Sequence, residues 1–344
     1  MIQVGIIGGT GYVGAELIRL LSNHNKVNIS GISSVKYRGK PISSIYSGFY
    51  QTDDLECENQ QDIIEKSDLI FLALPSGLSQ AIVEKAVYEN KICIDMGADF
   101  RFKNENLYKK WYGKTFLNKS LHEKSVYGLP ELNRDEIRRT QIIGNPGCYA
   151  TSVELALLPL LSENLIEEDG IIADCKSGIT GSGKELTESS HFVNCNENFT
   201  AYKVANHRHT PEIEETLSNS FKKNVKLTFV PHLLPINRGI LSTIYATPKK
   251  ALSLEEVHEK YSQFYKNENF IKMLPLGEVS KISGVRLSNY CHISLHYDDD
   301  NNKLIVISCL DNMMKGSAGQ GIQNMNIALG FSEKEGLTTL PAVF

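Results

Sequence analysis

The sequence predicts an α/β protein in which a doubly wound parallel sheet is joined to an α+β domain built on a mixed sheet. Three observations point there. A short apolar segment, residues 3–7, runs directly into a glycine-rich turn at residues 8–14. Strand-length apolar segments then alternate with amphipathic helical ones, the order that places parallel strands under crossover helices. Late in the chain two strand-like runs, residues 291–297 and 303–310, flank the polar stretch Asp298-Asp299-Asp300-Asn301-Asn302, the pattern of an antiparallel hairpin. At 344 residues the chain exceeds one usual core, so two domains are expected. Residues 1–147 form the first, completed by a C-terminal segment of about 312–344, and residues 148–311 form the second.

The first strand is apolar on both faces, as a buried parallel strand must be, and glycines follow at Gly8, Gly11 and Gly14. That spacing permits a tight turn, lets backbone N–H groups approach a pyrophosphate, and lets the next helix pack closely on the sheet. Val13, Leu17, Leu20 and Leu21 share one face of that helix. Strand, loop and helix in register read as a Rossmann-type dinucleotide site with Gly8, Thr10, Gly11, Tyr12, Val13 and Gly14 as its contacts. Further strands are expected at residues 27–33, 69–74 and 92–96, and a helix carrying Ala81, Ile82, Lys85 and Ala86 lies between the last two. The second strand ends in Ser33, Ser34, Lys36 and Arg38, without the acid that would hold a ribose 2′-hydroxyl, so NADP is favoured over NAD.

The second half carries the chemistry. In Asn145-Pro146-Gly147-Cys148-Tyr149 a turn becomes the start of a helix that continues through Pro159, and Cys148 caps its N-terminus. Backbone N–H groups and the positive end of the helix dipole favour an ionised sulfur there, which turns a small buried hydrophobe into a nucleophile. A base is then needed. His207-Arg208-His209-Thr210-Pro211-Glu212 offers two imidazoles, either of which could take a thiol proton near neutral pH, and Glu212 could fix a tautomer. His207 and His209 are both candidates for the acid/base, and a helix follows Pro211. Ser177 and Gly178 open a flexible loop, residues 177–184, after the apolar strand at residues 171–175. Arg101 and Arg238 lie on loops at strand ends, suited to bidentate capture of carboxylate or phosphate. Gly316, Gly319 and Gly321 lead into a last helix at residues 322–329 and would permit close approach to the cofactor.

Composition excludes several classes. A net charge of −4 with both signs dispersed gives no reason to expect nucleic acid or an acidic membrane surface as partner. No apolar run reaches the length of a membrane span, and the N-terminus enters a strand pattern without a charged leader, so a cytoplasmic location is expected. Seven scattered cysteines without Cys-x-x-Cys spacing argue against disulfides and structural zinc. The His-x-His at His207 and His209 has no companion ligand set, so no metal is expected.

Taken together, the Gly8–Gly14 loop, Gly97-Ala98-Asp99-Phe100-Arg101, Tyr127-Gly128-Leu129-Pro130-Glu131-Leu132, the Cys148 segment, the His207–Glu212 segment, Pro231-His232-Leu233-Leu234-Pro235 and Gln323-Asn324-Met325-Asn326 resemble the N-acetyl-γ-glutamyl-phosphate reductases, relatives of aspartate-semialdehyde dehydrogenase. The resemblance covers nearly the whole chain. It implies NADPH-dependent reduction of an acyl phosphate to a semialdehyde plus phosphate, in arginine biosynthesis, through a thioester on Cys148, with His207 preferred as acid/base and His209 the alternative. It also implies Ser177, Gly178 and Asn312 as further cofactor contacts, Arg101, Asn145, Arg208 and Arg238 as substrate contacts, and a homo-oligomer, dimer or tetramer. Ser152, Ser76 and Val35 depart from the family pattern, Val35 where an arginine often helps the 2′-phosphate. An aspartate-semialdehyde or N-acetyl-aminoadipyl-phosphate reductase is the alternative in the same chemical class. The alternative in a different class, a non-catalytic NADP-binding regulatory protein, has no need of Cys148 and His207.

Overall fold

Parallel strands buried on both faces need continuous apolar runs, and the N-terminal part of the chain supplies them in the computed structural model, which describes residues 1–50 and 55–343. Its strands are β1 (Ile2–Ile7), β2 (Val27–Ser33), β3 (Cys57–Glu58), β4 (Leu69–Leu72), β5 (Ile92–Asp95), β6 (Val126–Tyr127) and β7 (Ile142–Gly144). The helices between them are α1 (Tyr12–Leu21), α2 (Gln60–Lys66), α3 (Gln80–Tyr88), α4 (Glu105–Tyr112), α5 (Lys119–Lys124) and α6 (Pro130–Ile137). All pairings are parallel, in the order β3-β2-β1-β4-β5-β7-β6. The direction of winding reverses between β1 and β4, and a doubly wound sheet binds its ligand outside the strand C-termini at such a point.

The next part of the chain reads α7 (Cys148–Ser162), β8 (Ile171–Gly178), α8 (Phe192–Cys195), β9 (Thr200–Ala201), α9 (His209–Phe221), β10 (Leu227–Leu234), β11 (Ile240–Ala246), α10 (Leu254–Phe264), β12 (Ile271–Met273), β13 (Cys291–Asp298) and β14 (Lys303–Leu310). A π-helical turn, Met314–Ala318, then leads into α11 (Gly319–Ala328). The second sheet is mixed, ordered β12-β13-β14-β11-β8-β10-β9, and β13 and β14 form the expected antiparallel hairpin. Helices α7, α9 and α10 lie on one of its faces. The other face is half-exposed and mixed, with Ile172, Val230, Tyr245, Ile305 and Ile307 beside Asp174, Lys176, His232 and His296.

Two units result, residues 1–146 with 317–338, and residues 147–316 with 339–344. The segment expected to complete the first domain, about 312–344, is therefore shorter at both ends. Asn312 is tied into the second unit by bonds to Gly239 and Thr180, and Ala342 by its N–H to the Arg286 carbonyl. Other expectations also shift. Gly147 is the cap residue of α7 and Cys148 its first helical residue, because Gly147 keeps an extended backbone (φ −68°, ψ 149°). Ser177 and Gly178 belong to β8 rather than to a loop, since Leu233 and Leu234 pair with them across the sheet. Helix α9 starts at His209, ahead of Pro211, which needs no N–H in a first turn. In α3 the buried face is Ile82, Val83 and Ala86, while Ala81 and Lys85 face solvent. Helix α11 begins three residues before the predicted start.

Candidate active site

In the first unit the glycine loop has a defined reason at each position. Gly8 is left-handed (φ +91°), and a Cβ there would lie 2.3 Å from the Ala73 carbonyl oxygen. A Cβ on Gly14 would lie 2.4 Å from the Gly8 oxygen, so only glycine lets α1 reach the loop. Gly11 differs, because its nearest protein atom would be 3.7 Å away. No side chain caps α1 and no acid occupies its first turn, so the amides of Tyr12, Val13 and Gly14 are presented to an anion. The Gly8 and Gly9 N–H groups donate to the Ser33 carbonyl at 3.1 and 3.0 Å, and Thr10 Oγ1 is 2.8 Å from Ser34 Oγ, which joins the loop to the end of β2. Lys36 and Arg38 are exposed just beyond. The site therefore brings together every cofactor contact expected in this half of the chain. A loop with room only at Gly11 and an uncapped helix fit the pyrophosphate of a dinucleotide.

Asp95 and Asp99, both buried, organise the neighbouring loop. Asp95 accepts from Ser79 Oγ and from the N–H groups of Gly97, Asp99 and Phe100, and Asp99 accepts from Ser79 N and Tyr108 Oη. Burial, then the Asp99 charge, push the Asp95 carboxyl above its usual range. Arg101 donates through Nε to the Asn145 carbonyl (2.7 Å) and through Nη2 to the Met96 carbonyl (3.1 Å). Asn145 is buried, donates to the Ser317 carbonyl and accepts from Asn324. These two expected substrate contacts are thus woven into the first unit's own framework.

In the second unit Cys148 opens α7, a helix buried on all sides from Tyr149 to Leu161. No side chain caps it and its first turn holds no acid, so the dipole of the helix favours an ionised sulfur there. Gly316 packs against the cysteine: a Cβ there would lie 2.9 Å from Cys148 Cβ. The glycine run after β14 therefore makes room for the cysteine. Gly147 is fixed by its N–H donating to buried Glu212 Oε1 at 2.7 Å, a charge-assisted bond of about 1.5–3 kcal/mol. Below, Ser152 joins Ser242 (2.9 Å) and Ser308 (3.1 Å), anchoring α7 on β11 and β14 through buried hydroxyls.

The two histidines separate. His209 lies on Gly147, where a Cβ would be 2.3 Å from its Nε2. His207 sits among Tyr149, Tyr202 and Phe229, ring centroids 5.2–5.7 Å away, and its Nδ1 accepts the His209 N–H at 3.1 Å. Burial, then the neighbouring His209, Lys203 and Arg208, hold its pKa down at about 2. His207 is thus kept neutral among aromatic rings, whereas the imidazole that lies against Gly147, the residue before Cys148, is His209. Glu212 follows one turn along the same helix face.

The remaining expected residues fall in the second unit. Arg208 is exposed at the start of α9. Arg238 Nη1 is 3.8 Å from buried Asp311 and keeps part of its guanidinium at the surface. Asn312 accepts the Gly239 N–H (2.8 Å) and donates to Thr180 (2.9 Å), and a Cβ on Gly178 would strike the Asn237–Arg238 backbone at 2.7 Å. Ser177 is buried and bonds to the neighbouring Gly178 carbonyl. These three knit the loop beside Arg238. Sequence reading gave Gly316 to the cofactor rather than to the space beside Cys148, and it missed the Glu212–Gly147 bond and the aromatic box around His207. Only the glycine run had left a signal. Among the described residues no set of three or more His, Cys, Asp or Glu side chains is placed to hold a metal, and no helix is long and apolar enough to cross a membrane.

Comparison with known proteins agrees with this arrangement. Residues 3–140 match the family model described as semialdehyde dehydrogenase, NAD binding domain, and residues 148–312 the one described as semialdehyde dehydrogenase, dimerisation domain. The fold is also that of aspartate semialdehyde dehydrogenase II from Vibrio cholerae complexed with ASA (TM-score 0.74, 14% identity, 96% of this chain and 98% of that one). The Candida albicans aspartate semialdehyde dehydrogenase with NADP is similar as well (TM-score 0.67, 16%, 95% and 98%). Fold and site therefore define an oxidoreductase of the semialdehyde dehydrogenase class with an NAD(P)-binding domain. At the sequence level the chain is 72% identical to the N-acetyl-gamma-glutamyl-phosphate reductase of Clostridium kluyveri and 57% to that of Clostridium botulinum, over the full length of each pair. It belongs to the N-acetyl-gamma-glutamyl-phosphate reductase family, and its activity is that reduction, a step of arginine biosynthesis.

Proposed function

We propose that the reduction of N-acetyl-γ-glutamyl phosphate runs through a thioester on Cys148, with His209 as the acid/base. The observation that carries this reading is the cysteine on the first turn of an uncapped helix, with His209 lying on the adjacent Gly147. His209 takes the thiol proton, and the Cys148 sulfur attacks the acyl carbon. The C–O bond to phosphate breaks, and phosphate leaves with its electron pair. Amides of Cys148 and Tyr149 stabilise the oxyanion, a contribution of about 3–4 kcal/mol for a preorganised donor. NADPH, held by the Gly8–Gly14 loop with Ser33, Ser34, Lys36 and Arg38, supplies the hydride. In the last step the carbon–sulfur bond breaks and His209 returns its proton to sulfur, freeing the semialdehyde. A covalent route divides one difficult reduction into two easier steps.

Arg208 and Arg238 are the residues assigned to the substrate's carboxylate and phosphate, and Glu212 holds both the α9 face and the Cys148 turn. The missing acid at the end of β2 supports NADP over NAD, and the match to a dimerisation domain supports a homo-oligomer, dimer or tetramer. The test is phosphate-dependent NADP reduction with N-acetylglutamate semialdehyde, aspartate semialdehyde and the aminoadipate homologue. The acetylglutamate compound is expected to be the best substrate, and Cys148→Ala to bind NADP while losing turnover. Substantial residual rate in that variant would discard the thioester.

A further inference from the structure

The carboxylate of Asp311 is wholly buried in the second unit, between the end of β14 and the π-helical turn. A charge so placed is unfavourable unless donors surround it. Asp311 Oδ1 accepts the N–H groups of Met313 (2.8 Å) and Met314 (3.2 Å), and Oδ2 accepts that of Leu287 (2.7 Å). The same Oδ2 faces Arg238 Nη1 at 3.8 Å, and the arginine side chain reaches the surface, 18% exposed. Leu287 holds a left-handed backbone (φ +63°), a conformation that a residue with a side chain keeps only where its surroundings impose it. Its bond to the carboxylate is such a constraint.

The backbone around Arg238 is fixed on three sides. Thr180 donates to the Asn237 carbonyl through N (3.2 Å) and Oγ1 (2.6 Å), and the Gly239 N–H donates to Asn312 Oδ1 (2.8 Å). Gly239 is left-handed (φ +121°), and a Cβ on it would lie 2.2 Å from Ile282 Cγ2, on the segment that leads to Leu287. What this framework leaves open is the direction of the guanidinium, on a side chain rich in rotamers. Asp311 supplies that direction. Its own carbonyl accepts the N–H groups of Met314 (3.1 Å) and Gly316 (3.0 Å), and Gly316 packs against Cys148. Asp311 is thus tied both to Arg238 and to the turn beside the cysteine.

We propose that Asp311 is a positioning residue of the substrate site, which orients the Arg238 guanidinium for the anionic end of the substrate. A planar fork can turn one edge to Asp311 and another to a carboxylate or phosphate. Charge alone would make Asp311 an obstacle, because a carboxylate beside the guanidinium weakens its attraction for a second anion. Positioning and charge therefore act on substrate binding with opposite signs. The proposal deepens the assignment of Arg238 to the substrate and rests on it.

Asp311→Asn tests the sign. The variant is expected to raise KM for N-acetylglutamate semialdehyde or for phosphate about tenfold, to change kcat by less than about threefold, and to leave NADP affinity as it is. Unchanged or lowered values of both KM overturn the proposal. Arg238→Gln completes a double-variant cycle: it should raise the same KM, and adding Asp311→Asn to it should have no further effect, because the carboxylate acts through the guanidinium. Additive losses would mean that Asp311 serves only the fold, and refute the proposal. If Asp311→Asn does not fold, the thermal midpoint of Arg238→Gln decides. It should fall, since the cation facing a buried charge is gone, and a wild-type midpoint refutes the pairing. Should Arg238→Gln leave both KM values unchanged, the assignment of Arg238 to the substrate fails, and the proposal with it. An effect of Arg238→Gln without one of Asp311→Asn is the failure of the proposal alone.

Discussion

His207 and His209 are two residues apart and stand in unlike surroundings. His207 is enclosed by aromatic rings and kept neutral, whereas His209 lies on the glycine that precedes the nucleophile. His209→Asn should therefore reduce kcat by about 10²–10⁴, the usual worth of a positioned acid/base, while His207→Asn should chiefly lower stability. Comparing kcat and thermal midpoint for the two variants separates the roles. A pH dependence of stability follows as well. His207, held down at about 2, and His122, held down at about 4 by burial and then Lys103, bind fewer protons folded than unfolded. Their contribution is fully present above the unfolded pKa of 6.5 and is lost as pH falls toward those values, by about 1.4 kcal/mol per pH unit for each. Asp95, pushed upward, works in the opposite sense with one group against two. Urea midpoints measured from pH 7 to pH 4.5 should fall on acidification, and a flat profile would contradict the burial of His207.

At the scale of elements, the two glycine-bounded helix starts are the working parts. Gly147→Ala would drive a Cβ into the His209 imidazole, so kcat should fall at least tenfold while NADP affinity is retained. Gly11→Ala meets no protein atom closer than 3.7 Å, so its melting temperature should be unchanged and its NADP affinity reduced, as titration by fluorescence would show. Equal affinity would mean that the pyrophosphate lies elsewhere. Most of these elements were readable in advance. The strands at Val27–Ser33 and Lys303–Leu310 have the predicted bounds, because apolar period is a local property. Ser177 and Gly178 were misread because pairing with Leu233 and Leu234, distant in the chain, makes them strand.

For the whole molecule, cofactor selectivity tests how the first unit is used. Lys36→Ser/Arg38→Ser should lower the kcat/KM ratio of NADP to NAD by at least tenfold with little effect on the NAD rate. An unchanged ratio would place the 2′-phosphate on other groups. Sequence alone determined the two-part α/β architecture, the dinucleotide loop and the family, and it singled out Cys148 for the proposed role of nucleophile, since each rests on spacing within a few consecutive residues or on similarity along the chain. Tertiary structure decided which imidazole lies against Gly147, that Asn145 and Arg101 brace the first unit, that Gly316 makes room for Cys148, and that residues 181–206 stand exposed. Those properties depend on atoms brought together from distant positions. No local pattern of residues records such contacts.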